Sequence, residues 1–129
     1  MAQRILLCDD EIHILKAAEI KLTRAGYEVV TASDGYEALA SIQEQMPDMV
    51  ITDCQMPRMD GLELIRRLRA NEATRDLPVV MLSAKRFELP EAELTEKWNV
   101  EKILSKPFSP RELVQLVTET LGKQEIVCL

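Results

Sequence analysis

Five short apolar runs, each about as long as a β-strand, alternate with segments of helical period along the 129 residues. Arg4–Cys8, Tyr27–Ala32, Asp48–Thr52, Pro78–Leu82 and Lys102–Ser105 read as strands. Most are apolar almost throughout, without the in–out alternation of a sheet wetted on one face, as expected of parallel strands buried on both sides. Tyr27–Ala32 is less apolar and reads as an edge. Between the runs, Glu11–Ala25 carries Ile12, Leu15, Ala18 and Leu22 near helical spacing, and Gly26 supplies a stop. Ser33 reads as the N-cap of a helix bearing Ala38, Leu39 and Ile42, which ends before Pro47. Asp60 is placed to cap a third helix with Leu62, Ile65 and Leu68 as its stripe. Arg66, Arg67 and Arg69 lie mostly off that stripe and read as a solvated face rather than a docking patch. Asn71–Leu77 is a polar connection. Pro90 interrupts the fourth helical region, predicting a loop over Arg86–Leu89 and a short helix from Pro90 to Trp98. Ser109-Pro110-Arg111-Glu112 is a capping box with proline at the first helical position. Leu113, Val114, Leu116, Val117 and Leu121 follow, and Gly122 is expected to end the helix. Five strand–helix repeats imply one α/β domain over residues 1–122, a parallel sheet with helices on both faces. Residues 123–129 are left as a short C-terminal tail, frayed by default despite Ile126, Val127 and Leu129.

With 47% hydrophobic residues the chain can bury a substantial core, and its net charge of −6 argues against direct nucleic-acid binding, which needs a basic face. No apolar stretch approaches the roughly 20 residues of a membrane span, and the N-terminus has no signal-peptide pattern. The expected location is cytoplasmic, away from membranes. Cys8, Cys54 and Cys128 are odd in number and follow no metal-binding spacing. They read as small buried thiols; oxidation disturbing the acids beside Cys8 and Cys54 is the alternative. Trp98, the single tryptophan, reads as a packing anchor, and His13, the single histidine, as a solvated helix residue.

In an open parallel sheet, ligands bind beyond the carboxyl ends of the strands. Asp9 and Asp10 end the first run, Asp53 the third, Ser83 the fourth and Lys106 the fifth. As neighbouring strands they would bring three acids, a hydroxyl and an ammonium to one edge. Crowded carboxylates repel one another until a cation relieves them, and Mg²⁺ takes hard oxygen ligands. A lysine and a hydroxyl suit phosphoryl oxygens, and an aspartate can accept a phosphoryl group as a nucleophile. The set suffices for in-line transfer to Asp53 with one metal ion.

In Asp9-Asp10-Glu11, Asp53, Met56-Pro57-x-Met59-Asp60-Gly61, Ser83-Ala84 and Lys106-Pro107-Phe108, the chain resembles the response regulator receiver domains of two-component signal transduction. The likeness covers about residues 3–121. It implies a flavodoxin-like strand order of 2-1-3-4-5 and assigns Asp53 as phosphoacceptor. Asp10 and Asp53 would bind Mg²⁺ directly, Gln55 through its backbone carbonyl and Asp9 through a water. Ser83 would be the switch hydroxyl, Lys106 would pair with the phosphoryl group, and the Lys106–Pro107 bond would be cis. Gln55 and Lys85 occupy positions that tune phosphoryl lifetime in the family. The chain departs from the family in three places. Ile103 stands at the switch position where Tyr or Phe is usual, so ring rotation cannot be the readout; Asn99 replaces a glycine; and the fourth helical region is irregular at Pro90. The implied partners are a histidine kinase or histidine phosphotransfer protein and a downstream protein target. That target would read a surface of the fourth helix, fifth strand and fifth helix.

Three functions are therefore in play. The first is a stand-alone, phosphorylation-dependent switch that catalyses only its own phosphoryl transfer and dephosphorylation. The second is a scaffold that binds partners without phosphorylation, which Ile103 leaves open. The third is a phosphoaspartate-type phosphatase, disfavoured because Asp9-Asp10-Glu11 lacks a second aspartate two residues after the first.

Overall fold

The computed structural model describes residues 2–83 and 91–128, with side chains over 2–83 and 93–122. Lys85, Pro90, the expected loop over Arg86–Leu89 and the Cys128 side chain lie outside the described residues. The elements are β1 (Arg4–Cys8), α1 (Ile12–Arg24), β2 (Glu28–Ala32), α2 (Gly35–Glu44), β3 (Met49–Asp53), α3 (Gly61–Ala70), β4 (Val79–Ser83), α4 (Glu91–Glu96), β5 (Lys102–Ser105) and α5 (Pro110–Cys128).

All strand pairs are parallel and the order is β2-β1-β3-β4-β5. The pleat divides the core into two layers. Leu6, Cys8, Val50 and Met81 pack with Ala38 and Ile42 of α2, Leu64, Ile65 and Leu68 of α3, and Leu94 of α4. Ile5, Leu7, Met49, Ile51, Val80 and Leu82 face the other way, against Ala18 and Leu22 of α1 and Leu113, Val117 and Leu121 of α5. β3 and β4 are buried at every residue, and β2 is half open, as an edge should be. Cys8 pairs with Thr52, Asp53 with Leu82, and Ser83 with Ser105, so the strands β1, β3, β4 and β5 end at one edge.

Several boundaries differ from expectation for physical reasons. Asp34, not Ser33, caps α2: its Oδ1 accepts the Glu37 N–H at 2.9 Å, while the Ser33 hydroxyl donates to the Glu37 carboxylate. Ile12 opens α1 but is 56% exposed, leaving Leu15, Ala18 and Leu22 as the packed stripe. α5 runs through Gly122, which keeps a negative φ, on to Cys128. A helical glycine costs only about 1 kcal/mol relative to alanine, and no proline follows to stop the chain. Asp60, Ser109 and Gly26 act as expected, two as caps and the last at φ 104°. Trp98 is half-buried against the α2–α4 layer, with Arg66 and Lys97 over its ring.

Arg69 is not part of a solvated face. Its guanidinium donates to the carbonyls of Trp98 (2.7 Å), Leu77 (2.8 Å), Arg75 (3.0 Å) and Asn99 (3.1 Å), with a longer contact to Thr74. It ties the α3–β4 connection to the turn before β5, where Asn99 takes the left-handed conformation at φ 53°.

Candidate functional site

The site lies where the chain reverses its direction of travel across the sheet. β2 lies on one side of β1 and β3 on the other, so the loops after β1 and β3 diverge and leave a crevice. Asp9 is fixed there by its backbone N–H, which donates to Ala32 O at 3.1 Å, and it has no solvent exposure. Its Oδ1 accepts the Glu11 N–H at 2.9 Å. Asp53, 5% exposed, closes β3, and the Cys54 N–H donates to Leu82 O at 2.9 Å just beyond it. Ser83 is buried at the end of β4. The Lys106 N–H donates to Ser83 O at 2.7 Å, which starts the lysine at the same edge.

The Lys106 ammonium sits among the acids. It lies 2.9 Å from Asp9 Oδ2, 2.9 Å from Glu11 Oε1 and 3.3 Å from Asp53 Oδ2. Burial lowers the pKa of this lysine, but bonding to Asp9 and Glu11 and the charges of Asp9 and Asp53 outweigh it, so the net shift is upward. Asp53 is pushed up to about 6, chiefly by burial and then by the negative charge of Asp9, with Lys106 opposing. Burial, then Asp9, raises the Cys8 thiol far above its usual value, so Cys8 is an inert packing thiol.

Asp9, Asp10, Glu11 and Asp53 each offer a carboxylate oxygen, and these oxygens lie within 4.8 Å of one another. An octahedral Mg²⁺ keeps its ligands within about 4.2 Å, twice a bond of about 2.1 Å. The cluster is thus near the span one ion requires. Asp9 Oδ2 is buried, and among the described residues the Lys106 ammonium, 2.9 Å away, is the one group set against its charge. An all-oxygen set with such an atom at its base fits a hard divalent cation.

Asp9, Asp10, Asp53, Ser83 and Lys106 therefore share one edge, as their positions in the sequence predict. Gln55 is an exposed residue of the loop leaving β3, and Ile103 is half-buried against the α2–α4 layer. The Lys106–Pro107 peptide is cis. Glu11 joins the cluster unexpectedly, although the run of three acids at 9–11 was its signal. Asp34 and Arg58 were also missed. They pair beside the β3–α3 loop, and the Asp34 carboxyl is held below its ordinary range, first by the Glu37 N–H and, against burial, by Arg58.

Comparison with known proteins agrees with this geometry. The chain is 37% identical over 126 residues to the alkaline phosphatase synthesis transcriptional regulatory protein of Bacillus subtilis, covering 98% of this chain and 51% of that one. It spans about half the length of the curated relatives it matches. A chemotaxis response regulator of Vibrio cholerae superposes with a TM-score of 0.82 at 34% identity, over 92% of this chain and 98% of the other. The receiver domain of a Pseudomonas aeruginosa sensor histidine kinase, solved with magnesium coordinated in its active-site cleft, superposes with a TM-score of 0.81 at 30% identity (95% and 99% coverage). Residues 5–118 match one family throughout, and the chain belongs to it: the response regulator receiver domains.

Proposed function

We propose that Asp53 accepts a phosphoryl group from a histidine kinase or a histidine phosphotransfer protein. The observation that carries this reading is the convergence of the Asp9 and Asp53 carboxylates on the Lys106 ammonium at the end of β1, β3 and β5, with Asp10 and Glu11 in the same cluster of carboxylate oxygens. An Asp53 oxygen attacks the phosphorus of a phosphohistidine. The O–P bond forms as the P–N bond breaks, and the electron pair leaves with the imidazole, which takes up a proton. Asp53 must be ionised to attack, and a value near 6 leaves it so at neutral pH. Lys106 follows the negative charge onto the phosphoryl oxygens, and the Ser83 hydroxyl donates to them. Asp10, Asp53 and the Gln55 carbonyl would hold Mg²⁺, with Asp9 acting through a water. The ion supplies charge neutralisation for the incoming group.

The added charge then biases a two-state surface toward a downstream protein. We place that surface at α4, β5 and α5, with Ser83 and Ile103 as the link. Ile103 can change only its packing, so the readout is a shift of an aliphatic side chain. No substrate is turned over beyond the protein's own phosphoryl group. The domain acts in the cytoplasm and does not itself contact nucleic acid, whatever a longer polypeptide does. Among the described residues no helix is long and apolar enough to cross a membrane.

Incubation with Mg²⁺ and a small acyl phosphate should add one phosphoryl mass, lost on hydroxylamine treatment and absent in Asp53→Asn. An unmodified wild-type protein would sink the reading. Partner binding that persists unchanged in Asp53→Asn would favour a phosphorylation-independent scaffold instead.

A further inference from the structure

The β3–α3 loop, residues 54–60, is held from outside by residues that touch none of the reacting groups. Asp34 has two jobs, one per oxygen. Its Oδ1 caps α2 by accepting the Glu37 N–H at 2.9 Å, and its Oδ2 accepts from Arg58 Nη2. The Asp34 side chain is 2% exposed, whereas that of Arg58 is 64% exposed. A surface arginine has thus been drawn onto a buried carboxylate. The backbone around Arg58 is unusual: φ is 65°, and the Met59 N–H donates to Pro57 O at 2.7 Å, closing a γ-turn of positive φ. Such turns are strained in residues with a Cβ and persist where neighbours enforce them. The enforcing contacts come from α2. Besides the Asp34 pair, the Gly35 N–H donates to Met59 O at 3.0 Å, and the Met59 side chain fills the space a Cβ on Gly35 would need. At the other end of the loop, the Gly61 N–H donates to Cys54 O at 3.0 Å.

We propose that Arg58 and Asp34 are positioning residues for the cation, clasping the loop that carries the Gln55 carbonyl to the start of α2. The inference rests on the reading of the site given under Proposed function. Cys54, Met56 and Met59 anchor the inner side of the loop in the core, while Gln55, Pro57 and Arg58 are exposed, so the clasp adds the restraint on the outer side. Without it the carbonyl keeps more freedom that must be lost when a cation binds, and the affinity falls accordingly.

Mg²⁺ alone, titrated calorimetrically into the full chain, tests this. Asp34→Asn keeps a good N-cap but removes the charge facing Arg58. Arg58→Gly removes the side chain and relieves the positive φ, and Arg58→Ala removes the side chain without that relief. All three should bind Mg²⁺ about 10-fold more weakly than wild type, and the two Arg58 variants, which leave the buried Asp34 carboxylate without its counter-charge, should also melt lower. The double variant Asp34→Asn/Arg58→Ala should be no weaker than either single one. Arg58→Lys should recover most of the loss. Phosphorylation rates at saturating Mg²⁺ should return to the wild-type value. Unchanged Mg²⁺ affinity in Asp34→Asn and both Arg58 variants, with or without a fall in midpoint, would overturn the inference and leave the pair merely structural. A wild type that binds no Mg²⁺ would overturn the parent reading, and this inference with it.

Discussion

Asp53 is held in a setting that disfavours its own charge while the site lacks a cation. Its pKa rises from 3.8 to about 6, so the sign of its effect on stability is fixed. Below 3.8 the group is neutral both folded and unfolded, and it costs nothing. Above about 6 it is charged in both states, and the full cost of burying it beside Asp9 is present. Asp53→Asn should therefore stabilise the protein in chelator at pH 7.5, by about 1–2 kcal/mol once residual solvation is allowed for, and much less at pH 4. Thermal melts at the two values check this; an equal gain at both would refute the assignment. Two glycines allow a second comparison. A Cβ on Gly61 would lie 2.1 Å from the Asp53 carbonyl oxygen, which is backbone and cannot yield. A Cβ on Gly35 would lie 2.5 Å from Met59 Sδ, which can swing away, but also 2.8 Å from Met59 Cβ, which moves only with its backbone. Gly61→Ala should cost roughly 3 kcal/mol or more and Gly35→Ala about 2 kcal/mol in urea unfolding.

Arg69 dominates at the scale of elements. A planar fork reaches several carbonyls at once, where an ammonium has a single point of attachment. Arg69→Lys should thus lose most of the clasp and about 2 kcal/mol of stability. Hydrogen exchange should quicken in residues 74–79 and 98–101, on either side of β4, while β1 and β3 stay protected. This was not legible in the sequence. A helix-surface arginine off the apolar stripe looks the same whether it meets water or a set of carbonyls, because its partners lie in turns whose paths no periodicity encodes. The same limit moved the cap of α2 from Ser33 to Asp34, two adjacent residues of equal capping propensity distinguished only by the β2–α2 turn. It also carried α5 beyond Gly122, where a weak local preference yields to a helix already propagating.

For the whole molecule, the reading from sequence was fuller. Strand count, parallel pairing and the meeting of Asp9, Asp53, Ser83 and Lys106 follow from apolar runs that end in chemistry-bearing residues, and strand ends are where an α/β sheet gathers its ligands. What stayed hidden was how the charges divide. Asp9 and Lys106 were assigned to metal and phosphoryl halves of the site, yet they lie 2.9 Å apart. Without a cation, the ammonium is the available counter-charge for the buried acid. Cation binding must therefore displace or share that contact, and it should be linked to folding. At a Mg²⁺ concentration ten times its dissociation constant, the wild type should gain about 1.4 kcal/mol in denaturant unfolding. Asp10→Asn should need more Mg²⁺ for the same gain.

Short of their polar ends, β3 (Met49–Ile51) and β4 (Val79–Leu82) are apolar and buried on both faces. Sliding either strand by one residue would exchange its two layers for each other, apolar for apolar, and expose no oil to water. Hydrophobicity alone is thus a poor guardian of alignment in this sheet. A slip would, however, carry Asp53 or Ser83 about 3.3 Å along the strand axis, farther than the contacts that define the site. A misaligned molecule would therefore keep its layered shape while being chemically silent, so the alignment of these strands is tested by the site's chemistry rather than by burial.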